Sequence, residues 1–203
     1  MISAEPQTES SRWCWTRDEY YRASDLGLFG EQRVELLDGE VWLLPPQKTP
    51  HYSAIEATAE ALETAFGNNF TMRRQGPLIL TNGSEPKPDL TVVPGSWRDY
   101  VAHHSIPQEV YLLVEIFDAT LLTDRTRKSV SLAAAGILEY WIVYLVNRHL
   151  GVFRDPATAA SGSFYKTTLI LLEDDAVSPL HAPSSTITVS DLLPPRLNDV
   201  LKD

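Results

Sequence analysis

The stretch LLVEIF, Leu112–Phe117, decides how this chain is read. It closes the longer run VYLLVEIF, Val110–Phe117. A strand that is apolar on both faces is usually central in its sheet and covered on both sides. A glutamate in the middle of such a strand is expensive, because a carboxylate held away from water without a partner costs several kcal/mol. Glu115 therefore needs a cationic partner, an opening to water, or a bound cation.

The flanking segments supply the rest of a sheet. Upstream, NFTMRRQ (Asn69–Gln75), PLILT (Pro77–Thr81) and DLTVV (Asp89–Val93) each read as strands. HYSAIEATAEALETAFG carries apolar residues near helical spacing and ends at a glycine, which predicts a helix from about Pro50 to Phe66. RVELLDGEVWLL is two alternating runs joined by Asp38-Gly39, a strong hairpin signal. Thr16 and Glu19 are spaced as a capping box for a short helix before it. Downstream, TDRTRKSVSLAAAG predicts a helix closed by Gly136. EYWIVYLV, HLGVFRD and FYKTTLILLE read as strands, with a tight turn at Asn147 between the first two. SDLLPPRLNDVL predicts a short terminal helix broken by Pro194 and Pro195. The sum is an α/β fold: a mixed sheet flanked by helices and preceded by an N-terminal helix and a β-hairpin. Residues 1–15 are expected to be a mobile tail and residues 16–203 a single domain.

Composition narrows the function. No apolar run reaches the roughly 18 residues of a membrane span, and the N-terminus has no basic start leading into an apolar stretch. A cytoplasmic location is expected. The one cysteine, Cys14, excludes an internal disulfide framework and a cysteine-based zinc site. Seventeen basic against twenty-seven acidic residues give a net charge of −10, the wrong sign for gripping nucleic acid over a whole surface. A polyanion must instead meet a local basic patch, with Arg73, Arg74, Lys87, Arg125, Arg127 and Lys128 as candidates.

Two carboxylates on neighbouring strands can hold a hard divalent cation such as Mg²⁺. Asp89 opens the strand of KPDLTVV, and Glu115 lies inside the next long apolar strand. Such an ion activates water and stabilises charge on a phosphate. Lys128 follows Glu115 by thirteen residues (128 − 115) in the next helix, whose return across the sheet brings its first turns towards the strand. His103 and His104 are adjacent and so point apart, which makes a histidine metal site a poor alternative.

RVELLDGEV, PHYSAI, PKPDLTVV, LLVEIF, DRTRK, AAAG and EYWIV, in that order and spacing, resemble the Uma-type restriction endonucleases of the PD-(D/E)xK nuclease superfamily. The resemblance runs from Tyr20 to about Val152. It implies that Asp89 is the aspartate of the PD motif and Glu115 its acidic partner. The superfamily often places its lysine two residues after that acid, where Phe117 stands here, so the role passes to Lys128 in the following helix. Glu35, in the hairpin, resembles a further acidic ligand, and His51 matches a family histidine and is expected to contact substrate. The implied protein is a dimeric endonuclease that uses Mg²⁺ or Mn²⁺, through Asp89, Glu115 and Glu35, to hydrolyse DNA. Arg125 and Arg127 would steady the phosphate backbone. The chain departs from the family pattern with Asp118 in place of a serine, Leu132 in place of a tyrosine and Tyr144 in place of an aspartate. The carboxylate of Asp118 would repel a phosphate. Two other readings use the same residues: a catalytically silent dimeric binding or scaffold protein, and a phosphohydrolase of small nucleotides.

Overall fold

The computed structural model describes residues 12–81, 83–118 and 123–196, and for 123–126 the backbone alone. In chain order the elements that matter here are α1 (Arg17–Asp25), β1 (Val34–Leu37), β2 (Glu40–Leu43), α2 (Thr49–Phe66), β3 (Phe70–Arg74) and β4 (Leu90–Pro94). They continue as β5 (Leu112–Phe117), α3 (Thr123–Ala134), β6 (Glu139–Tyr144), β7 (His149–Ala159) and β8 (Gly162–Leu172). β3 to β8 form one six-stranded sheet in sequence order, and β1 pairs with β2 in a separate hairpin.

The LLVEIF strand is central, as its composition predicts. β5 runs antiparallel to β4 and parallel to β6. Parallel neighbours need a crossover connection, which α3 supplies. Leu112, Val114 and Ile116 enter a core with Ala54, Ile55 and Leu62 of α2. Leu113 and Phe117 enter a second core with Leu132 and Ala133 of α3. Alternation puts Glu115 on this α3 face, so its charge lies between the sheet and the crossover helix.

Asp38 and Gly39 join β1 to β2 with φ of 52° and 73°, the two left-handed residues of the tight turn that Asp-Gly predicts. The Gly39 N–H donates to Gly83 O at 2.8 Å, and its carbonyl accepts the Trp15 N–H at 2.8 Å. A Cβ at Gly39 would lie 2.7 Å from the Cβ of Cys14. Residues 1–11 of the expected mobile tail lie outside the described residues; its remainder packs on the hairpin, where Arg12 pairs with Glu40. The capping box of α1 forms as expected, with the Thr16 N–H donating to Glu19 Oε2 at 2.9 Å and the Glu19 N–H to Thr16 Oγ1 at 3.3 Å. α1 is tied to the chain ahead of β4 by Arg17 Nε donating to Glu85 Oε2 at 2.9 Å.

Two local expectations are corrected. PLILT forms no ladder, only isolated bridges from Leu78 to Ser105 and from Thr81 to Ser84. β4 is already paired on both edges by β3 and β5, so Leu78 and Leu80 serve the core as an irregular segment instead. Asn147 lies in the turn before β7 as expected, and the left-handed residue of that turn is Arg148 (φ 45°). Of the expected terminal helix, the described residues form one short turn at Val189–Leu192 ahead of the prolines, and residues 197–203 lie outside them. Among the described residues, no helix is long and apolar enough to cross a membrane.

α3 ends where expected. The Gly136 N–H donates to Ala133 O at 3.0 Å and the Ile137 N–H to Leu132 O at 3.1 Å, with Gly136 at φ 79°. Nothing lies within 4 Å of a Cβ built there, so Gly136→Ala meets only backbone strain. It should lower stability by about 1 to 2 kcal/mol in urea unfolding, and an unchanged midpoint would show that the turn relaxes without loss.

Candidate functional site

The site grows from the end of the β4–β5 pairing. That ladder runs as far as Leu90 opposite Val114, and one residue before Leu90 the side chain of Asp89 turns towards β5. Its Oδ2 accepts the Ile116 N–H at 2.8 Å. Its Oδ1 faces His51 Nε2 at 3.1 Å and accepts from Gln75 Nε2 at 3.3 Å. Burial opposes ionisation of Asp89, but these bonds and the charge of His51 outweigh it and hold the carboxyl below the usual aspartate range.

Lys128 supplies the partner that Glu115 needs. From the second turn of α3 its Nζ donates to Glu115 Oε1 at 2.9 Å and pairs with Glu35 Oε1 at 3.0 Å. The second oxygen of Glu35 accepts the Lys87 N–H at 3.0 Å. Burial disfavours the ammonium form, yet Glu115 and Glu35 raise the pKa of Lys128 above its ordinary value, so it stays charged. Glu115 is pushed the other way from a normal carboxyl, up to about 8. Burial is the main cause; Lys128 opposes it, and the negative charges of Asp89 and Glu35 add to it. One lysine thus serves two buried carboxyl groups, with Asp89 held beside them by His51.

Asp89, Glu115, Lys128 and His51 line one cavity of about 410 Å³. The structure therefore brings four of the expected site residues to a common space. Glu35 is 1% exposed and stands behind Lys128 with both oxygens engaged, an arrangement that favours holding the lysine over ligating a cation. Arg127 points elsewhere: it pairs with Glu40 at 2.7 Å and lies 4.8 Å over the Trp42 ring, clasping the hairpin. The side chain of Arg125 lies outside the described residues. Asp118 does line the cavity, as do the basic side chains of Arg33, Lys48 and Lys87. Sequence reasoning missed Gln75, Arg33 and Lys48 as parts of the site, since nothing in their local pattern separates them from surface polar residues.

A mixed sheet that joins a strand-start aspartate, a strand glutamate and a helix lysine in one cavity defines a nuclease-like α/β protein. The chain belongs to the Uma2 family, described as "Putative restriction endonuclease", whose model matches residues 17–190. Four solved chains match it. One of them is the crystal structure of a "putative nuclease belonging to DUF820" from Anabaena variabilis ATCC 29413, with a TM-score of 0.67 at 15% identity over 87% of this chain and 96% of that one. No curated protein matches.

Two outcomes are expected from this geometry. Lys128→Met leaves Glu35 and Glu115 buried without their cation and should cost about 3 kcal/mol at neutral pH. In urea unfolding the added change Glu35→Gln should recover part of that loss; no recovery would show that the two do not act as a pair. The Glu115 carboxyl binds its proton more tightly folded than unfolded. Its contribution is therefore complete below pH 4.5 and is lost as pH rises to about 8. In chelator, stability should fall across that window, and Glu115→Gln should flatten the slope.

Proposed function

We propose that this protein is a metal-dependent endonuclease that hydrolyses phosphodiester bonds of DNA. The observation that carries the reading is the meeting of Asp89, Glu115 and the charged Lys128 on one cavity. Family membership supports nuclease chemistry.

The donor set fits a hard cation. The carboxylates of Asp89 and Glu115 and the Ile116 carbonyl are oxygen donors, the kind that Mg²⁺ or Mn²⁺ takes while keeping several waters. Among the described residues, no three His, Cys, Asp or Glu side chains form a ready metal cage. Protein would thus supply two carboxylates and a main-chain oxygen, and water the remaining positions. When bound, the cation would act as a Lewis acid on the phosphate and lower the pKa of a coordinated water.

The chain's own groups have separable tasks. His51 and Gln75 orient Asp89 and keep it ionised. Glu35 fixes Lys128, whose ammonium orients the attacking water and balances charge that develops on phosphorus oxygens in the transition state. Because Lys128 remains protonated, it is a donor and not the base. Arg33, Lys48 and Lys87 give the cavity mouth a local positive character in a chain of net charge −10. Attack by water breaks the bond from phosphorus to the leaving oxygen, and the superfamily's chemistry would leave a 5′-phosphate.

Binding to the folded state alone raises stability by mass action, by about 2.7 kcal/mol at a hundredfold excess over Kd. Millimolar Mg²⁺ or Mn²⁺ should therefore raise the melting temperature, and Asp89→Ala should abolish the rise. A melting curve indifferent to metal would remove the main support for this reading. On a labelled oligonucleotide, Lys128→Ala should reduce kcat far more than KM; unchanged cleavage would overturn the role given to the lysine.

A further inference from the structure

The cavity contains more than phosphate chemistry needs. Its floor is backed by the core side chains Tyr140 and Ile142 of β6, each 1% exposed. Glu115 sits directly opposite Ile142 in the strand register, so apolar floor and carboxylate are immediate neighbours. Phe117 lines the same space, braced edge-on by Tyr144 with ring centroids 5.6 Å apart. The outer wall is Leu44, Pro45 and Pro46, the irregular segment between β2 and α2. A phosphodiester backbone gains nothing from such walls. Apolar surface beside a charged cluster raises the cost of the charges, so its presence calls for an apolar part of the ligand.

The volume of about 410 Å³ falls in the range of small-molecule sites. Asp89 and Lys128 are only 7% and 8% exposed, so the reacting phosphate must enter the cavity to reach them. A nucleotide stacked in a regular duplex brings its phosphate to a protein surface but keeps its base inside the helix. An unstacked nucleotide brings both. Aromatic side chains recognise such bases without regard to sequence, since every base has a π-face. The carboxylate of Asp118, also on the cavity, repels phosphate and reserves its side of the space for the neutral base.

We infer that Phe117, Leu44 and Pro46 form a subsite for one unpaired base, and that the substrate is single-stranded DNA or an unpaired position within a duplex. The inference rests on the nuclease reading for its substrate and specifies the strand state that the reading leaves open. A single-strand cut also needs no second copy acting on the opposite strand, so cleavage does not require the dimer.

The test separates binding from cleavage. Anisotropy of a labelled single-stranded oligonucleotide is measured with the full chain in Ca²⁺, against the same sequence as a perfect duplex and as a duplex with one bulged nucleotide. Cleavage of the three is then followed in Mn²⁺. Single-stranded and bulged DNA should bind at least about tenfold more tightly than the duplex, equivalent to about 1.4 kcal/mol. Phe117→Ala should erase most of that preference and raise KM more than it lowers kcat. Leu44→Asn, on an irregular segment, makes the same test if the phenylalanine change impairs folding. Equal affinity for the three DNAs, or a preference untouched by both variants, overturns the subsite. Selective binding without cleavage sustains the subsite and removes the nuclease reading; equal cleavage of duplex and single strand does the reverse.

Discussion

A buried ammonium organises this molecule. Lys128 is 8% exposed, and a charge so placed persists only if opposite charge surrounds it. Its two carboxylate partners come from different places: Glu115 from the middle of the central sheet and Glu35 from a hairpin that shares no ladder with it. The pairing therefore fixes three bodies against one another, namely α3, β5 and the β1–β2 hairpin. The same face of α3 adds Arg127 to Glu40 and the Ser131 hydroxyl to Asp38, each reaching the hairpin. The hairpin backbone then carries the clamp to the segment before β4 through Gly39 and Gly83.

Other buried carboxylates show what a structural role looks like. Glu139 is 0% exposed, and it accepts Trp141 Nε1 at 2.9 Å, Arg154 Nε at 2.8 Å and the Leu180 N–H at 2.7 Å. Its charge is balanced by a guanidinium, its oxygens are engaged, and it lines no described cavity. Glu85 is likewise tied to Arg17 and Tyr21. The cluster at β5 differs because Glu115 and Glu35 share one lysine, while Glu115 and the neighbouring Asp89 face an open space. Burial and the nearby charges of Asp89 and Glu35 push the Glu115 carboxyl up to about 8 despite its lysine.

The elements were legible where local rules and tertiary demand agreed. The Asp-Gly turn, the α1 capping box and the glycine ends of α2 and α3 all form, because each is satisfied within a few residues of chain. PLILT failed because its β-propensity found no free strand edge, and its leucines went to the core by another route. Asp89 and Glu115 could be picked out because a carboxylate at a strand mouth and one inside an apolar strand both raise an energetic question. Gln75, Arg33 and Lys48 raise none, and their place at the site depends on how β3, the hairpin and α2 converge.

Sequence by itself determined that Glu115 lies in a central strand and that a helix carrying Lys128 follows it. Those facts follow from periodicity, composition and order along the chain. Tertiary structure alone decided that Glu35 turns inward to Lys128, that Arg127 serves the hairpin, and that Phe117 becomes a wall of the cavity. Each depends on which side of one element faces another. A strand's alternation separates its two faces but does not say which partner will cover them.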